Sequence, residues 1–393
     1  MNSRTVAIYR DLLLPYSETF IPAQVESLST YSGFYVGMSR VAGANSLVSQ
    51  KKSIVLSDLV SQPAPWKLAF KLTGFAHPGW FREIKKRSPQ LVHAHFGLDG
   101  VLSLPLAKKL NVPLVVTFHG NDATGMEYKS TGRAKLTDLF QKRGQFFRDL
   151  YLERRDRLFK SANCFIAVSE FIRSKLVDKG CPSDKILVHY IGVDIDKFTP
   201  NLSIQREPIV MFVGRLVEKK GCEYLIRAMA QVQAVMPEIE LVVVGSGPLQ
   251  QRLEQLAQSC LKRYRFLGVQ PPEAVKDLMN RSLLLCTPSV TAANGDSEGL
   301  PIVVYEAQAM GLPVVGSIHA GIPEAVVHGE TGFLAPERDW EMLGKHMVTI
   351  LNDVQLRERF SMAGRKRAEQ EFSLKSNTAK LEAIYDRILS NRL

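Results

Sequence analysis

Cysteine is scarce in this sequence. Its 393 residues contain five cysteines, and no two of them form a CxxC pair. Their odd number and wide spacing argue against a disulfide framework and against a zinc site. We expect these residues to be small buried hydrophobic groups: Cys164, Cys181, Cys222, Cys260 and Cys286.

Long apolar runs are absent as well. No stretch approaches the roughly 18 to 20 apolar residues that a membrane-spanning helix needs. The sequence also lacks a basic-then-apolar leader followed by a cleavage site. We therefore expect the body of the protein to stay in the cytoplasm.

Signatures of metal and dinucleotide binding are incomplete. The Gly-Ser-Gly turn at 245–247 lacks the third glycine of a dinucleotide fingerprint, because Gln250 stands there. The Asp-Ile-Asp at 194–196 has the pattern of a DxD metal site, but it is remote in sequence from the other polar motifs. His93 and His95 have no carboxylate or cysteine at ligand spacing. We expect neither a metal nor a cofactor.

The chain is long enough for two domains. A sequence of 393 residues exceeds the size at which one core keeps growing, and 45% of it is apolar. Short apolar runs alternate with helical lengths, which is typical of parallel sheets in an α/β protein. We place strands at residues 6–9, 91–96, 114–119, 164–169, 209–214, 240–245, 265–269, 283–289 and 313–317.

The predicted boundary between the domains is a polar stretch without periodicity. Residues 196–207 read DKFTPNLSIQRE, a composition typical of a linker. The predicted domains are residues 1–195 and 208–372. Residues 373–393 form a final segment with a helical pattern.

Positive charge is concentrated in the first half. Residues 1–195 hold 27 Lys and Arg against 16 Asp and Glu, a net of +11, whereas residues 196–393 hold 23 against 23. Much of the excess lies among aromatic residues at 133–160 and 67–87. Such segments suit helices on an anionic membrane surface. The alternative is a pair of solvated helices whose apolar sides face their own core; no nucleic-acid-binding motif occurs.

Two glutamates flank a predicted helix start. In EGLPIVVYE, Pro301 favours the first helical position, so Glu298 lies in the preceding loop and Glu306 about two turns inside the helix. A helix N-terminus presents free N–H groups and a partial positive charge, so the predicted ligand is a phosphate or diphosphate. The alternative is a capped surface helix with an unrelated second acid.

Two cations strengthen the interpretation as a phosphate site. Arg215 and Lys220 follow the apolar run at 209–213, where open α/β sheets bind ligands. Fixed cations at this place can neutralise a departing diphosphate. Together with the two glutamates, they favour a nucleotide-sugar site.

With these elements in place, the sequence resembles the retaining glycosyltransferases of family four, which have the GT-B fold. The family's motifs appear in order as TFHGND, YIGVDIDKFTP, FVGRLVEKKG, VVGSGP, FLGVQP, EGLPIVVYEAQAMGLPVV and GIPEAVVHGETGFL. The resemblance spans nearly the whole chain. SETFI, VHAHFG and NGDSEGLP are similar to transferases that build bacterial exopolysaccharides, including colanic acid.

The resemblance implies an α/β fold of two Rossmann-like domains, with parallel sheets facing an interdomain cleft and residues 373–393 crossing back to the first domain. It places His119 close to the donor sugar, with Asp122 as its orienting partner or an acceptor contact. The implied catalytic residues are His119, Arg215, Lys220 and Glu298. The implied donor-binding residues are Gly214, Arg215, Lys220, Gly245, Gly247, Val269, Glu298, Gly299, Leu300, Pro301 and Glu306.

The implied activity is retaining transfer of a sugar from a nucleotide diphosphate, UDP favoured over GDP, to a hydroxyl of a saccharide or polyprenyl-linked saccharide. Glu298 would contact the sugar and Glu306 the ribose. They would not flank one bond at about 5 to 5.5 Å, so we expect metal-independent front-face attack. The inner face of the cell membrane is an expected partner and nucleic acid is not. A nucleotide-sugar epimerase and a noncatalytic nucleotide-sugar-binding subunit are the alternatives.

One loop departs from the family pattern. Many relatives carry a Gly-rich loop after the first strand, whereas this sequence reads RDLLLPYSETFI there. The phosphate contact could pass to Ser17, Glu18 or Thr19. The loop could instead serve the acceptor.

Overall fold

The structure, a computed structural model, describes residues 4–15, 18–41, 47–125 and 138–390, and only the backbone of residues 138–148. The chain divides into two compact units. The first unit is Met1–Ile191 together with Leu374–Leu393, and the second is Gly192–Ser373. Elements are numbered here in chain order.

The first unit contains a seven-stranded sheet of the order β5-β3-β1-β6-β7-β8-β9 in which every described pairing is parallel. A separate pair, β2 and β4, is also parallel. The strands are β1 Arg4–Tyr9, β2 Leu12–Leu13, β3 Tyr31–Gly37, β4 Ser39–Arg40, β5 Ser53–Val55, β6 Leu91–His95, β7 Leu114–Phe118, β8 Cys164–Ala167 and β9 Ile186–Val188.

Helices connect these strands, as parallel pairing requires. They are α1 Phe20–Glu26, α2 Leu56–Leu59, α3 Pro63–Thr73, α4 Pro78–Lys86, α5 Gly97–Leu110, α6 Asn121–Thr124, α7 Asp138–Ser161 and α8 Glu170–Asp178. A last helix, α16 Leu374–Leu389, follows the whole second unit.

Helix α16 is built into the core of the first unit. Its Leu381, Ile384, Tyr385 and Ile388 belong to the same buried cluster as β1 and β3. The Tyr385 hydroxyl lies 2.6 Å from Nδ1 of buried His93. The carboxylate of Glu382 accepts the N–H groups of residues 29, 30 and 31 at 2.8, 2.7 and 3.1 Å. Apolar burial and hydrogen bonds therefore both hold this helix to the first sheet.

The second unit is a six-stranded parallel sheet of the order β12-β11-β10-β13-β14-β15. Its strands are β10 Ile209–Val213, β11 Glu240–Val244, β12 Tyr264–Phe266, β13 Leu284–Thr287, β14 Val314–Ser317 and β15 Gly332–Ala335. Its helices are α9 Cys222–Val235, α10 Gln250–Cys260, α11 Pro272–Arg281, α12 Ile302–Ala309, α13 Ile322–Ala325, α14 Trp340–Asn352 and α15 Val354–Glu371. Strands β10 and β11, helix α9 and helix α14 contribute to its core.

Residues 196–207, predicted as a linker, belong to the second of the two units. Arg206 donates to the carbonyl oxygens of Ser282 at 2.6 Å and Met310 at 3.0 Å, and Arg365 donates to that of Phe198 at 2.7 Å. These contacts fix Phe198 and Arg206 within the second unit, which begins at Gly192, before the predicted boundary. Most of the segment is exposed to solvent, and Arg206 is the residue that bonds to buried carbonyls.

The nine predicted strands are present as β1, β6, β7, β8, β10, β11, β12, β13 and β14. The prediction omitted six strands that are short or contain glycine and serine: β2, β3, β4, β5, β9 and β15. Four of the five cysteines are buried as expected, but Cys260 is exposed. It is the last residue of α10, where its thiol contacts the carbonyl oxygen of Leu256 at 3.1 Å. Within the described ranges, no helix is both long enough and apolar enough to span a bilayer.

Candidate active site

The strand order of the second sheet reverses between β10 and β13. The strand that begins the unit lies in the middle of the sheet, and the connections run outwards from it on both sides. The loops that follow β10 and β13 therefore meet at the carboxyl edge, where such folds bind ligands. The Val290 N–H donates to the carbonyl oxygen of Lys219 at 2.8 Å, and the Ala293 N–H donates to Glu218 Oε1 at 3.0 Å.

A buried ionic cluster joins these two loops. Lys219 Nζ lies 2.9 Å from Asp296 Oδ1 and 3.9 Å from Glu298 Oε1, and Lys220 Nζ lies 3.2 Å from the same Glu298 oxygen. Burial alone would raise the pKa of Glu298, but Lys220 and Lys219 hold it below its ordinary value. Glu298 is therefore an ionised carboxylate fixed between two cations, and the four side chains together carry no net charge.

Glycines allow the neighbouring loops to approach the cluster. Gly245 has a φ of +128°, and a Cβ on it would lie 1.9 Å from the carbonyl oxygen of Gly214. A Cβ on Gly247 would lie 2.4 Å from the carbonyl oxygen of Leu216. No larger residue fits at either place. The Gly245 N–H donates to Gly268 at 2.8 Å, which places the exposed Val269 beside the same edge.

Arg215 and Lys220 differ in their surroundings, although both follow β10. Lys220 is mostly buried and its side chain lies over Gly214, about 3.4 Å from an idealised Cβ there. Arg215 is exposed, and it has no ion pair with any residue in the described ranges. Lys220 therefore belongs to the ionic cluster, whereas Arg215 lies outside it.

The Glu298–Glu306 segment forms the predicted loop and helix with two differences. Helix α12 begins at Ile302, and Pro301 is its N-cap residue with an extended ψ of 120°. Glu306 consequently lies little more than one turn inside the helix, where the sequence analysis expected about two. As predicted, Glu298 lies in the loop and Glu306 in the helix. Gly299 and Leu300 also lie in the loop, and Leu300 is buried. Burial raises the pKa of Glu306 to about 7 although Lys197 opposes the rise.

The first sheet reverses in the same way, between β1 and β6. His119 directly follows β7, and its Nε2 lies 3.1 Å from Nδ1 of His95 at the end of β6. The rings of Phe20 and Phe96 lie 4.9 and 4.5 Å from the imidazole of His119. Burial and neighbouring positive charge lower the pKa of both histidines well below the ordinary value, so both rings are neutral at physiological pH.

Asp122 does not orient the ring of His119. Its carboxylate accepts the backbone N–H groups of Gly97 at 3.0 Å, His119 at 3.1 Å and Gly120 at 2.8 Å. The ring partner of His119 is instead His95. Asp122 therefore fixes the loops after β6 and β7 through three backbone amides and makes no contact with the imidazole of His119 in the structure, and its alternative role as an acceptor contact stays a prediction.

An arginine organises the loop after β1. Arg10 Nε donates to Glu18 Oε2 at 2.9 Å, and its Nη1 donates to buried Asp99. The guanidinium also lies 4.3 Å from the centre of the Phe96 ring. Glu18 is thus tied within the first unit, and the structure shows no side-chain cap hydrogen bond from Thr19. Ser17 lies outside the described residues.

The remaining polar motifs have structural partners. Asp194 Oδ1 accepts the N–H groups of Asp196 and Lys197 at 3.1 and 3.0 Å, which closes a turn. His93 is hydrogen-bonded through both ring nitrogens, to Tyr385 and to Thr117. In the part of the chain that the structure describes, no three or more His, Cys, Asp or Glu side chains are grouped so that they could hold a metal ion.

Sequence reasoning missed four residues of these sites: Arg10, Lys219, His319 and Glu337. Arg10 directly follows a buried strand, and this position was a usable signal. Lys219 precedes Lys220, and only burial distinguishes the two. His319 accepts the N–H of Glu298 at 3.2 Å and lies 2.6 Å from Glu337. No pattern in the sequence indicates that contact.

Two family descriptions match the chain in tandem. "Glycosyltransferase Family 4" matches residues 41–197, and "Glycosyl transferases group 1" matches residues 194–367. The amylovoran biosynthesis glycosyltransferase AmsK of Erwinia amylovora is 30% identical over 305 residues, 75% of this chain and 69% of that protein. WcaL of Salmonella typhimurium, named for colanic acid biosynthesis, is 29% identical over 302 residues, 75% of this chain and 70% of that protein.

Solved structures show the same fold. Sucrose-phosphate synthase from Thermosynechococcus elongatus superposes with a TM-score of 0.75 at 22% identity, covering 99% of this chain and 100% of that one. HepE from Anabaena, solved with UDP, gives a TM-score of 0.73 at 19% identity, covering 98% and 99%. The chain belongs to the group 1, family 4 glycosyltransferases and has the GT-B fold. The predicted glycosyltransferase family and the α/β GT-B fold class are confirmed, and retention stays a prediction.

The raised pKa of Glu306 predicts a pH-dependent stability. A carboxyl group with a pKa of about 7 in the folded state and about 4.3 in the unfolded chain loses its stabilising contribution as the pH rises through this interval. Glu306→Gln should therefore melt at a higher temperature than the wild type at pH 8. The difference should be about 2 to 4 °C for each kcal/mol gained in the free energy of unfolding. This advantage should shrink towards pH 5.

Thermal melts of the two proteins from pH 5 to pH 8 check this expectation. Glu330→Gln replaces an exposed glutamate of the same unit and serves as the matched control, which should show no such trend. An advantage of Glu306→Gln that stays constant or decreases with rising pH would contradict the raised pKa.

Proposed function

We propose that this glycosyltransferase moves a sugar from a nucleoside diphosphate to a hydroxyl of a saccharide or lipid-linked saccharide during assembly of a cell-surface polysaccharide. The main support for this proposal is the cluster of Lys219, Lys220 and Glu298, which lies where the strand order of the second unit reverses. AmsK and WcaL, which are named for the biosynthesis of such polymers, support the product class.

The donor roles follow from the charges. Arg215 and Lys220 bind the diphosphate, and the N–H groups at the start of α12 add the positive end of the helix. Glu298 accepts hydroxyl groups of the sugar, and Glu306 accepts those of the ribose. Gly214, Gly245 and Gly247 let the backbone approach the nucleotide, because no Cβ stands between the loops.

The transfer step proceeds with retention at the front face of the sugar. The bond from the anomeric carbon to the phosphate oxygen breaks, and the acceptor oxygen bonds to the same face. The acceptor's proton passes to the released phosphate oxygen, whose charge Arg215 and Lys220 stabilise. Neutral His119 contacts the sugar, and its lowered pKa keeps it from adding a cation there.

Nucleotide binding should stabilise the folded protein. A ligand at one hundred times its Kd contributes about 2.7 kcal/mol, so thermal-shift screening against UDP, GDP, ADP and their sugars should give a selective rise. We expect UDP to give the largest. The rise should vanish in Glu306→Ala and persist in the control Glu330→Ala.

GDP is the main competitor, since relatives such as a Corynebacterium glutamicum mannosyltransferase are named for GDP-mannose. A larger shift with GDP would replace UDP as the donor nucleotide. No shift with any nucleotide at millimolar concentration would refute the donor site.

Loss of a phosphate-binding cation should slow turnover. Arg215→Ala should reduce kcat/KM about 10²-fold or more, with an unchanged melting temperature because Arg215 has no ion pair within the described ranges. Lys220→Ala should show a similar kinetic loss and also a lower melting temperature, since it removes a partner of buried Glu298. Exposed Lys262→Ala is the control.

The kinetic assay also tests the reaction class. Proton NMR of the fresh product should show the anomeric configuration of the donor. Near-normal rates in both cation variants would refute their role. Conversion of the donor sugar without an acceptor would indicate an epimerase instead.

We further propose that the first unit binds the anionic surface of the membrane through α3 and the segment after it. Leu68, Leu72 and Phe75 are exposed by 57%, 39% and 54%, beside the basic residues of 67–87. Of the other basic segment, 133–160, residues 133–137 and the side chains of 138–148 lie outside the described residues. The proposal therefore rests on α3.

Vesicle co-sedimentation tests this surface. The protein should bind phosphatidylcholine vesicles that contain phosphatidylglycerol and should dissociate as salt screens the charge. The double variant Leu68→Gln, Leu72→Gln should bind several-fold less. Met362→Gln, which changes a more exposed apolar residue of the second unit, should bind normally. Equal binding by all three proteins would remove α3 from the interface.

A further inference from the structure

His319 lies between two acidic residues of the second unit. It follows β14, and only 2% of it is exposed. The backbone N–H of Glu298 points at its Nε2 at 3.2 Å, and its Nδ1 lies 2.6 Å from Glu337 Oε1. An amide N–H can only donate, so Nε2 must be unprotonated. His319 therefore carries its proton on Nδ1 and donates it to Glu337.

Glu337 is itself fixed in place. Its Oε2 accepts the Thr291 N–H at 2.9 Å, and its Oε1 accepts the Thr291 hydroxyl at 3.2 Å. Arg338 lies 3.1 Å from Oε2. Burial alone would raise the pKa of Glu337, but hydrogen bonds from Thr291 and His319 lower it below the ordinary value. The carboxylate is an ionised, oriented acceptor for the imidazole.

The backbone next to His319 and next to Glu337 is strained. Ala320 and Arg338, which directly follow His319 and Glu337, have φ values of +49° and +66°. Residues with a Cβ rarely adopt this region, and such strain gathers at functional sites. The Gly321 N–H also donates to the Gly299 carbonyl oxygen at 3.0 Å. The turn after β14 is thus tied at two points to the segment that carries Glu298.

We infer that His319, held by Glu337, is a positioning residue that fixes the backbone of Glu298 and so aims its carboxylate at the donor sugar. Lys219 and Lys220 hold the carboxylate, and His319 holds the amide of the same residue, so both ends of Glu298 are set before a ligand arrives. Such preorganisation reduces the reorganisation that the transition state requires. The inference rests on the proposed role of Glu298.

Two substitutions separate the two hydrogen bonds of the imidazole. In His319→Asn the amide nitrogen replaces Nδ1 and keeps the bond to Glu337, while the acceptor for Glu298 is lost. In His319→Gln the carbonyl oxygen replaces Nε2 and keeps the acceptor, while the bond to Glu337 is lost. We expect kcat/KM to fall about tenfold or more in His319→Asn, mainly through kcat. His319→Gln should retain most of the activity.

His346→Asn, which changes a half-buried histidine on α14, is the control and should keep normal kinetics. Melting temperatures of all variants distinguish a kinetic effect from unfolding. Nitrogen-15 NMR of histidine-labelled wild type reports the tautomer independently of activity, and Nδ1 should give the protonated signal.

The outcomes separate the inference from the proposed function. An active wild type with an equally active His319→Asn variant would overturn the inference alone, as would equal losses in the two variants. The opposite tautomer would overturn it as well, because Nε2 could not then accept the amide. A wild type that turns over no nucleotide sugar would overturn the proposed function together with the inference.

Discussion

The buried contact of Lys219 with Asp296 and Glu298 is the interaction on which the second unit's site depends. A buried charge without a partner costs several kcal/mol, so the loops after β10 and β13 must close on one another wherever this lysine is buried. The strand reversal brings the two loops to one edge, and the glycines at 214, 245 and 247 remove the side chains that would keep the neighbouring loops apart. Sheet topology, loop composition and charge pairing thus constrain the same few residues.

The two units use one architecture for different electrostatic purposes. At its reversal point the second unit places two lysines against two carboxylates. The first unit places neutral histidines at the corresponding edge, with Arg10 neutralised by Glu18 and Asp99. One edge therefore holds fixed charged groups with the exposed Arg215 beside them, and the other holds neutral rings that can hydrogen-bond to uncharged hydroxyl groups. The division matches the donor and sugar-contact roles proposed above.

Sequence patterns predicted the strands that consist of a continuous apolar run. Continuous apolar runs located eight of the nine predicted strands because burial on both faces leaves a clear signal. The ninth, β12, is a partly exposed strand at the edge of the second sheet. Lys220 and His119 were predicted because each follows such a strand, and Glu298 was predicted because it precedes a helix start. The exact turn of Glu306 and the ring partner of His119 were not predictable, since they depend on where one helix starts and which loop lies alongside.

Residues 196–207 show a further limit of composition. Their polarity has the same appearance whether the groups face water or bond to buried carbonyls, as Arg206 does. The buried residues Lys219 and His319 show the same limit, because composition does not reveal their partners. Each acquires its role from burial and from partners about 20 to 80 residues away in sequence, at Glu298 and Asp296.

The position of α16 has a consequence for biosynthesis. The ribosome makes residues 1–191 first and α16 only after all of the second unit, yet Leu381, Tyr385 and Ile388 belong to the first unit's core. The first sheet therefore emerges with part of its apolar surface uncovered and must wait for the remainder of the chain. Domains usually fold as they are synthesised, so here the second unit can finish folding before the first, and a chain stalled within it would expose the uncovered surface to chaperones.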